Sequence, residues 1–145
     1  MLDKQKGEVV VNWLKYPNFF DLYEKEKAKP KIVYVIGESH HCYVGSVGSK
    51  GGRGGLAIRY EWQYVERSCA IFGQSKPQNQ PAFAGSFIDD TKVDECQIEA
   101  AEANVQEAFL KRHGKEAAIF HQKPKSYPDI KVTHQGDAPA FLKLG

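Results

Sequence analysis

The chain has 145 residues, enough for one domain on the usual scale of about 100–200 residues, which excludes a large multidomain enzyme. Apolar residues make up 41% and charged residues 26%, and eight Phe, seven Tyr and two Trp supply bulk for a core that needs no staples. Twenty basic against 18 acidic side chains leave a net charge of only +2, so any nucleic-acid binding must come from a local site rather than from a polycationic chain.

Residues 1–30 are charged and amphipathic, with Val10, Trp13, Leu14, Phe20, Leu22 and Tyr23 spaced around Pro17. A helical arm broken at Pro17 is expected, because proline removes an amide donor and disfavours a helical residue before it. Lys29-Pro30-Lys31 then punctuates the chain ahead of Ile32-Val33-Tyr34-Val35-Ile36, a β-branched and aromatic run too short for a helix and suited to a strand. After a polar turn at Gly37–His41, Cys42-Tyr43-Val44-Gly45 returns to strand character, so a β-hairpin is expected.

Six glycines between Gly45 and Gly55 make that stretch a loop in this reading, and Leu56–Val65, free of Gly and Pro, reads as a short helix carrying Arg59. Gln74–Pro81 reads as another loop and Ala82–Ile88 as a third strand. Asp89, Asp90 and Thr91 offer capping oxygens to a long helix ending near His113, where Gly114 supplies the stop. Its apolar positions, Ile98, Ala101, Val105, Ala108 and Phe109, step by three or four and predict a buried stripe. From Pro124 onward, three prolines and two glycines predict an irregular tail.

Several chemistries are weak on spacing alone. Cys42, Cys69 and Cys96 are an odd number with no CxxC pair, which fits neither a disulfide framework nor a zinc ribbon. With no apolar run near the ~18 residues of a membrane span, the chain is expected to be cytoplasmic and off the membrane. Gly48-Ser49-Lys50-Gly51 breaks the Walker pattern, and no GxGxxG opens a helix. His40, His41 and Cys42 have no second ligand pair, and the scattered His113, His121 and His134 make no visible hydrolytic triad.

One constellation stands out: Tyr34 and Tyr43 on paired strands, an arginine on a following helix, and a glutamate on the long helix. Taken singly, each has an ordinary reading as a strand phenol or a solvated charge. In this order, over about residues 31–114, the chain resembles the GIY-YIG nuclease family. Ile32-Val33-Tyr34 stands at the first motif and Tyr43-Val44-Gly45 at the second. Ala101–His113 is similar to the family's glutamate helix, particularly that of small restriction endonucleases, and this alignment selects Glu107 over Glu102. Two positions depart from the pattern: Ile32 replaces the first glycine, and Gln63 stands where His or Tyr is usual. Arg53, ten residues after Tyr43, rivals Arg59, but its flanking glycines disfavour a helix, so Arg59 is preferred.

The resemblance implies hydrolysis of DNA phosphodiester bonds at one Mg²⁺ or Mn²⁺ ion per site. Glu107 would bind the ion, Arg59 would stabilise charge on the phosphate, and Tyr34, assisted by Tyr43, would orient the attacking water. Ser46, Tyr60, Tyr64, Gln63 and Glu102 are possible supporting residues. Lys50, Arg53, Lys76, Lys111 and Arg112 would grip the backbone, with double-stranded DNA as partner and a homodimer for double-strand cleavage. The expected fold is α/β: a small, mainly antiparallel three-stranded sheet flanked by helices in residues 31–121, with an N-terminal helical arm (1–30) and an irregular C-terminal tail (122–145). A catalytically inactive nucleic-acid-binding module and an accessory protein-interaction domain are the alternatives.

Overall fold

A computed structural model describes residues 7–26, 28–37, 43–48, 80–88, 90–114 and 127–142. They form an α/β fold: a five-stranded mixed sheet with a helix on each face. The strands are β1 (Gly7–Tyr16), β2 (Ile32–Ile36), β3 (Tyr43–Val47), β4 (Ala82–Phe87) and β5 (Ile130–Gly136), in the spatial order β3-β2-β4-β1-β5. The helices are α1 (Phe19–Glu26) and α2 (Glu95–His113).

The three strands expected from sequence are adjacent and antiparallel, with β2 in the middle, Tyr34 opposite Gly45 on β3 and opposite Ala84 on β4. The sheet nevertheless has five strands, not three. Residues 7–16, expected as a helical arm, pair antiparallel with β4, and residues 130–136, expected as irregular tail, pair parallel with β1. The reason lies in side-chain period. Val9, Val11 and Trp13 are buried at every second position, which is the alternation of a strand. Pro17 ends that strand rather than breaking a helix, and Asn18 caps α1 by accepting the Asp21 amide at 2.8 Å. β3 also runs two residues into the glycine-rich stretch, through Ser46 and Val47. The remainder of that stretch and the Arg59 helix expected at Leu56–Val65 lie outside the described residues.

Alternation gives the sheet two distinct faces. Val33, Val35, Val44, Phe83, Val11 and Trp13 point to α2 and pack with its stripe of Ile98, Ala101, Val105 and Phe109. Ile32, Tyr34, Ile36, Val47, Ala82 and Ala84 point to the other face, under Phe19 and Leu22 of α1. The cap of α2 is Asp94, not Asp89–Thr91. Its carboxylate accepts the Gln97 amide at 2.8 Å while the Gln97 side chain accepts the Asp94 amide at 3.0 Å, a reciprocal capping box. The helix ends as expected, with the Gly114 amide donating to Leu110 at 2.9 Å.

Gly136 closes β5 in a conformation that only glycine adopts freely, with φ of 83°. A methyl group there would also fall 2.5 Å from the Trp13 carbonyl oxygen. The chain then returns along α2, where Phe141 meets the Phe109 ring edge-on at 5.3 Å. No helix among the described residues is long and apolar enough to cross a membrane.

Candidate functional site

The β2–β3 hairpin holds the first two site residues. Tyr34 and Tyr43 occupy the face that α1 covers, with ring centroids 6.2 Å apart. Tyr34 is only 3% exposed and stacks on Phe19 at 6.0 Å. Its hydroxyl rests against Gly45, directly opposite in the pairing: a methyl on Gly45 would sit 2.6 Å from the phenol oxygen. The glycine of the second motif is thus the room the first-motif tyrosine needs.

Ser46, the next residue, points to the α2 face because strand side chains alternate. There its hydroxyl donates to Oε1 of Glu102, 56 residues later in the chain. The other carboxylate oxygen, Oε2, accepts Gln106 Nε2 at 3.2 Å, and Gln106 is itself buried. Both oxygens of Glu102 are therefore oriented, one by β3 and one by a side chain a single helical turn away. Ser46 and Glu102 are each half-buried.

Glu107 goes elsewhere. A helix advances about 100° per residue, which sets Glu107 roughly 140° around the axis from Glu102. It is exposed and lines an open cleft of about 190 Å³ with Asn104, Tyr127 and Val132, on the β5 side of the molecule. The described residues therefore bring Tyr34 to Tyr43 and Ser46 to Glu102, and leave Glu107 apart from both pairs. Tyr34 and the α2 carboxylates approach the sheet from opposite faces, and β3, an edge strand of the described sheet, is where those faces meet. Lys111 and Arg112 are exposed in the last turn of α2. Lys50, Arg53, Arg59, Tyr60, Gln63, Tyr64 and Lys76 lie outside the described residues.

No group of three His, Cys, Asp or Glu side chains able to hold a metal occurs among the described residues. Glu102 with Ser46 offers hard oxygen donors of the kind that suits Mg²⁺, an ion commonly held by one or two carboxylates with water and phosphate oxygens completing the shell.

Three polar pairings escaped the sequence reading. Tyr16 donates to the buried carboxylate of Glu26, which also pairs with Lys29 at 2.8 Å; burial, that hydrogen bond and the carboxylate charge hold the phenol well above its ordinary range. Tyr127 donates to Glu99 at 2.7 Å, and burial together with that carboxylate pushes its phenol up to about 12. His134 lies between Trp13 and Asn104, and burial pushes it down to about 4. The one-turn spacings of Glu102 with Gln106 and of Glu26 with Lys29 were readable signals; the pairings of Tyr127 with Glu99 and of His134 with Trp13 and Asn104 join distant parts of the chain.

Comparison with family models, with curated proteins and with solved structures found no match to this chain.

Proposed function

We propose that the chain is a divalent-metal-dependent endonuclease that hydrolyses DNA phosphodiester bonds, with Glu102 rather than Glu107 as the metal-binding carboxylate. The observation that carries this reading is the Ser46–Glu102 hydrogen bond, which ties the glutamate helix to the residue directly after Tyr43-Val44-Gly45. The antiparallel β3-β2-β4 arrangement, with Tyr34 seated on Gly45, supports the likeness to the GIY-YIG core.

In this reading a bound divalent ion would supply charge neutralisation and stabilise the leaving oxygen. Glu102, its two oxygens oriented by Ser46 and Gln106, would hold that ion. Arg59 donates paired hydrogen bonds to the scissile phosphate and keeps its charge at any working pH. Tyr43, half-buried, orients the attacking water. Tyr34 is too enclosed to meet water directly and acts as a positioning residue that fixes Tyr43 and the hairpin edge. Lys111 and Arg112 meet the DNA backbone, so binding weakens steeply with salt. Two sites related by a homodimer's two-fold axis would cut both strands.

A second reading, a DNA-binding module without catalysis, is favoured by one observation: Tyr34 and Glu102 lie on opposite faces of the sheet. Supercoiled plasmid incubated with the purified protein and Mg²⁺ or Mn²⁺ separates the two. The nuclease reading expects metal-dependent nicking by wild type and Glu107→Gln, and a loss of about 100-fold or more in Glu102→Gln. Equal nicking by wild type and Glu102→Gln overturns the Glu102 assignment. A salt-sensitive gel shift with no product in either metal selects the binding module, and neither shift nor product removes both.

A further inference from the structure

His134 joins three elements: it sits on β5, opposite Val11 of β1 in the pairing, and faces α2. Trp13 Nε1 stands 3.0 Å from its Nδ1, and Asn104 Oδ1 stands 2.7 Å from its Nε2. An indole N–H donates and cannot accept, so Nδ1 must present a lone pair. The single ring proton is then on Nε2, where it is donated to Asn104. Both nitrogens are used, and the ring is fixed as one neutral tautomer.

We propose that protonation of His134 is an acid release for the C-terminal strand, undocking β5 and the segment to Leu142 from β1 and α2. This device stands apart from the nuclease reading and uses none of its residues. A proton on Nδ1 would set two N–H donors against each other where one bond now holds strand to strand. The cost falls on β5 because it is an edge strand of the described sheet, paired there with β1 alone, whereas β1 is also held by β4. The segment is also held by the parallel ladder to β1, the Asp137 amide on the Trp13 carbonyl at 2.9 Å, Thr133 on Glu8 at 2.8 Å, Tyr127 on Glu99 and Phe141 against Phe109, so protonation raises the population of an open form rather than detaching the strand outright.

The surroundings do not compensate an imidazolium. Its hydrogen-bond partners among the described residues, Trp13 and Asn104, are both uncharged. On α2, Glu107 lines the cleft bounded by Asn104 and Val132, and His113 is occupied with Phe109 and Phe141. On β1, Glu8 is bonded to Thr133, and Asp137, just past β5, is exposed. Burial lowers the His134 value from 6.5 to about 4, in accord with a ring the fold holds neutral. If the released ring titrates normally, the open fraction of β5 rises roughly 20-fold between pH 7 and pH 5.

Amide hydrogen exchange on the full chain, corrected for intrinsic rates, reads this opening. Those β5 amides protected at pH 7 should exchange through an opening smaller than global unfolding, faster than β2 amides at both pH values, and lose about 20-fold in protection at pH 5, and His134→Gln, which keeps a donor and an acceptor without a titrating ring, should abolish that loss. Unchanged β5 protection in the wild type, or the same loss in His134→Gln, overturns the proposal. Independently of any variant, the His134 Cε1–H resonance of the folded protein should titrate well below 6.5; a midpoint at or above that value overturns it too.

Discussion

At the scale of single residues, the candidate site is a matter of which side chain a neighbour leaves room for. Gly45 has no side chain because the Tyr34 hydroxyl occupies that space. Gly45→Ala forces the buried phenol to move, and such overpacking costs roughly 1–3 kcal/mol, which urea unfolding will show as a lower midpoint at unchanged slope. A Gly45→Ala protein as stable as wild type would mean that the hairpin does not seat Tyr34 there. Ser46→Ala removes the bond from β3 to Glu102; we expect a loss of about 1 kcal/mol in stability and, if Glu102 binds the ion, an altered metal dependence of nicking with DNA affinity unchanged. The tyrosines and the glycine were legible in the sequence because they sit at fixed positions on two short, obvious strands. The choice of glutamate was not: both Glu102 and Glu107 fit a loose helical motif, and only their angular separation around α2, seen against β3, decides which one reaches the second motif.

At the scale of elements, runs with a single consistent period were legible and mixed runs were not. β2 and β4 are buried along nearly their whole length and read as uninterrupted strands, and the stripe of α2 reads as a helix. In β1 the buried series Val9, Val11 and Trp13 is overlaid by Val10 and by Leu14, which is 46% exposed, so the period of two is blurred toward an irregular amphipathic pattern. β5 is concealed differently: Pro128 and Pro139 flank a seven-residue strand that only gains its role by pairing with β1 at the far end of the chain. The two readings of that segment differ in a measurable way. An irregular tail can be removed at little cost, whereas β5 and Phe141 cover Val9, Val11, Trp13 and Phe109. Truncation after residue 126 should therefore cost more than about 3 kcal/mol in urea unfolding and raise binding of a hydrophobic dye. A truncated chain with wild-type stability would return the segment to the status of a tail.

For the whole molecule, stability against pH follows from three side chains whose folded environments move their protons in different directions. His134 titrates near 4 when folded and near 6.5 when released, so its lowered value adds stability that is full above about pH 6.5 and is lost as the pH falls toward 4. The ring is partly exposed, which reduces the nominal gain to on the order of 2 kcal/mol. Tyr16 and Tyr127 act at the opposite limb. Their phenols lie above the ordinary value of 10, so the Glu26 and Glu99 partnerships contribute fully below pH 10 and fade as the pH rises through the folded values. Urea midpoints measured from pH 4 to pH 11 should thus form a plateau between about 6.5 and 10 with a fall on each side. The carboxylates of the chain also lose charge below pH 5, so the acid limb must be assigned by substitution. His134→Gln should flatten the decline between pH 6.5 and 5, where few carboxyl groups titrate, and leave the alkaline limb untouched. Tyr127→Phe should do the reverse. An acid limb that is identical in His134→Gln and wild type would show that the Trp13–His134–Asn104 chain does not set the proton balance of folding.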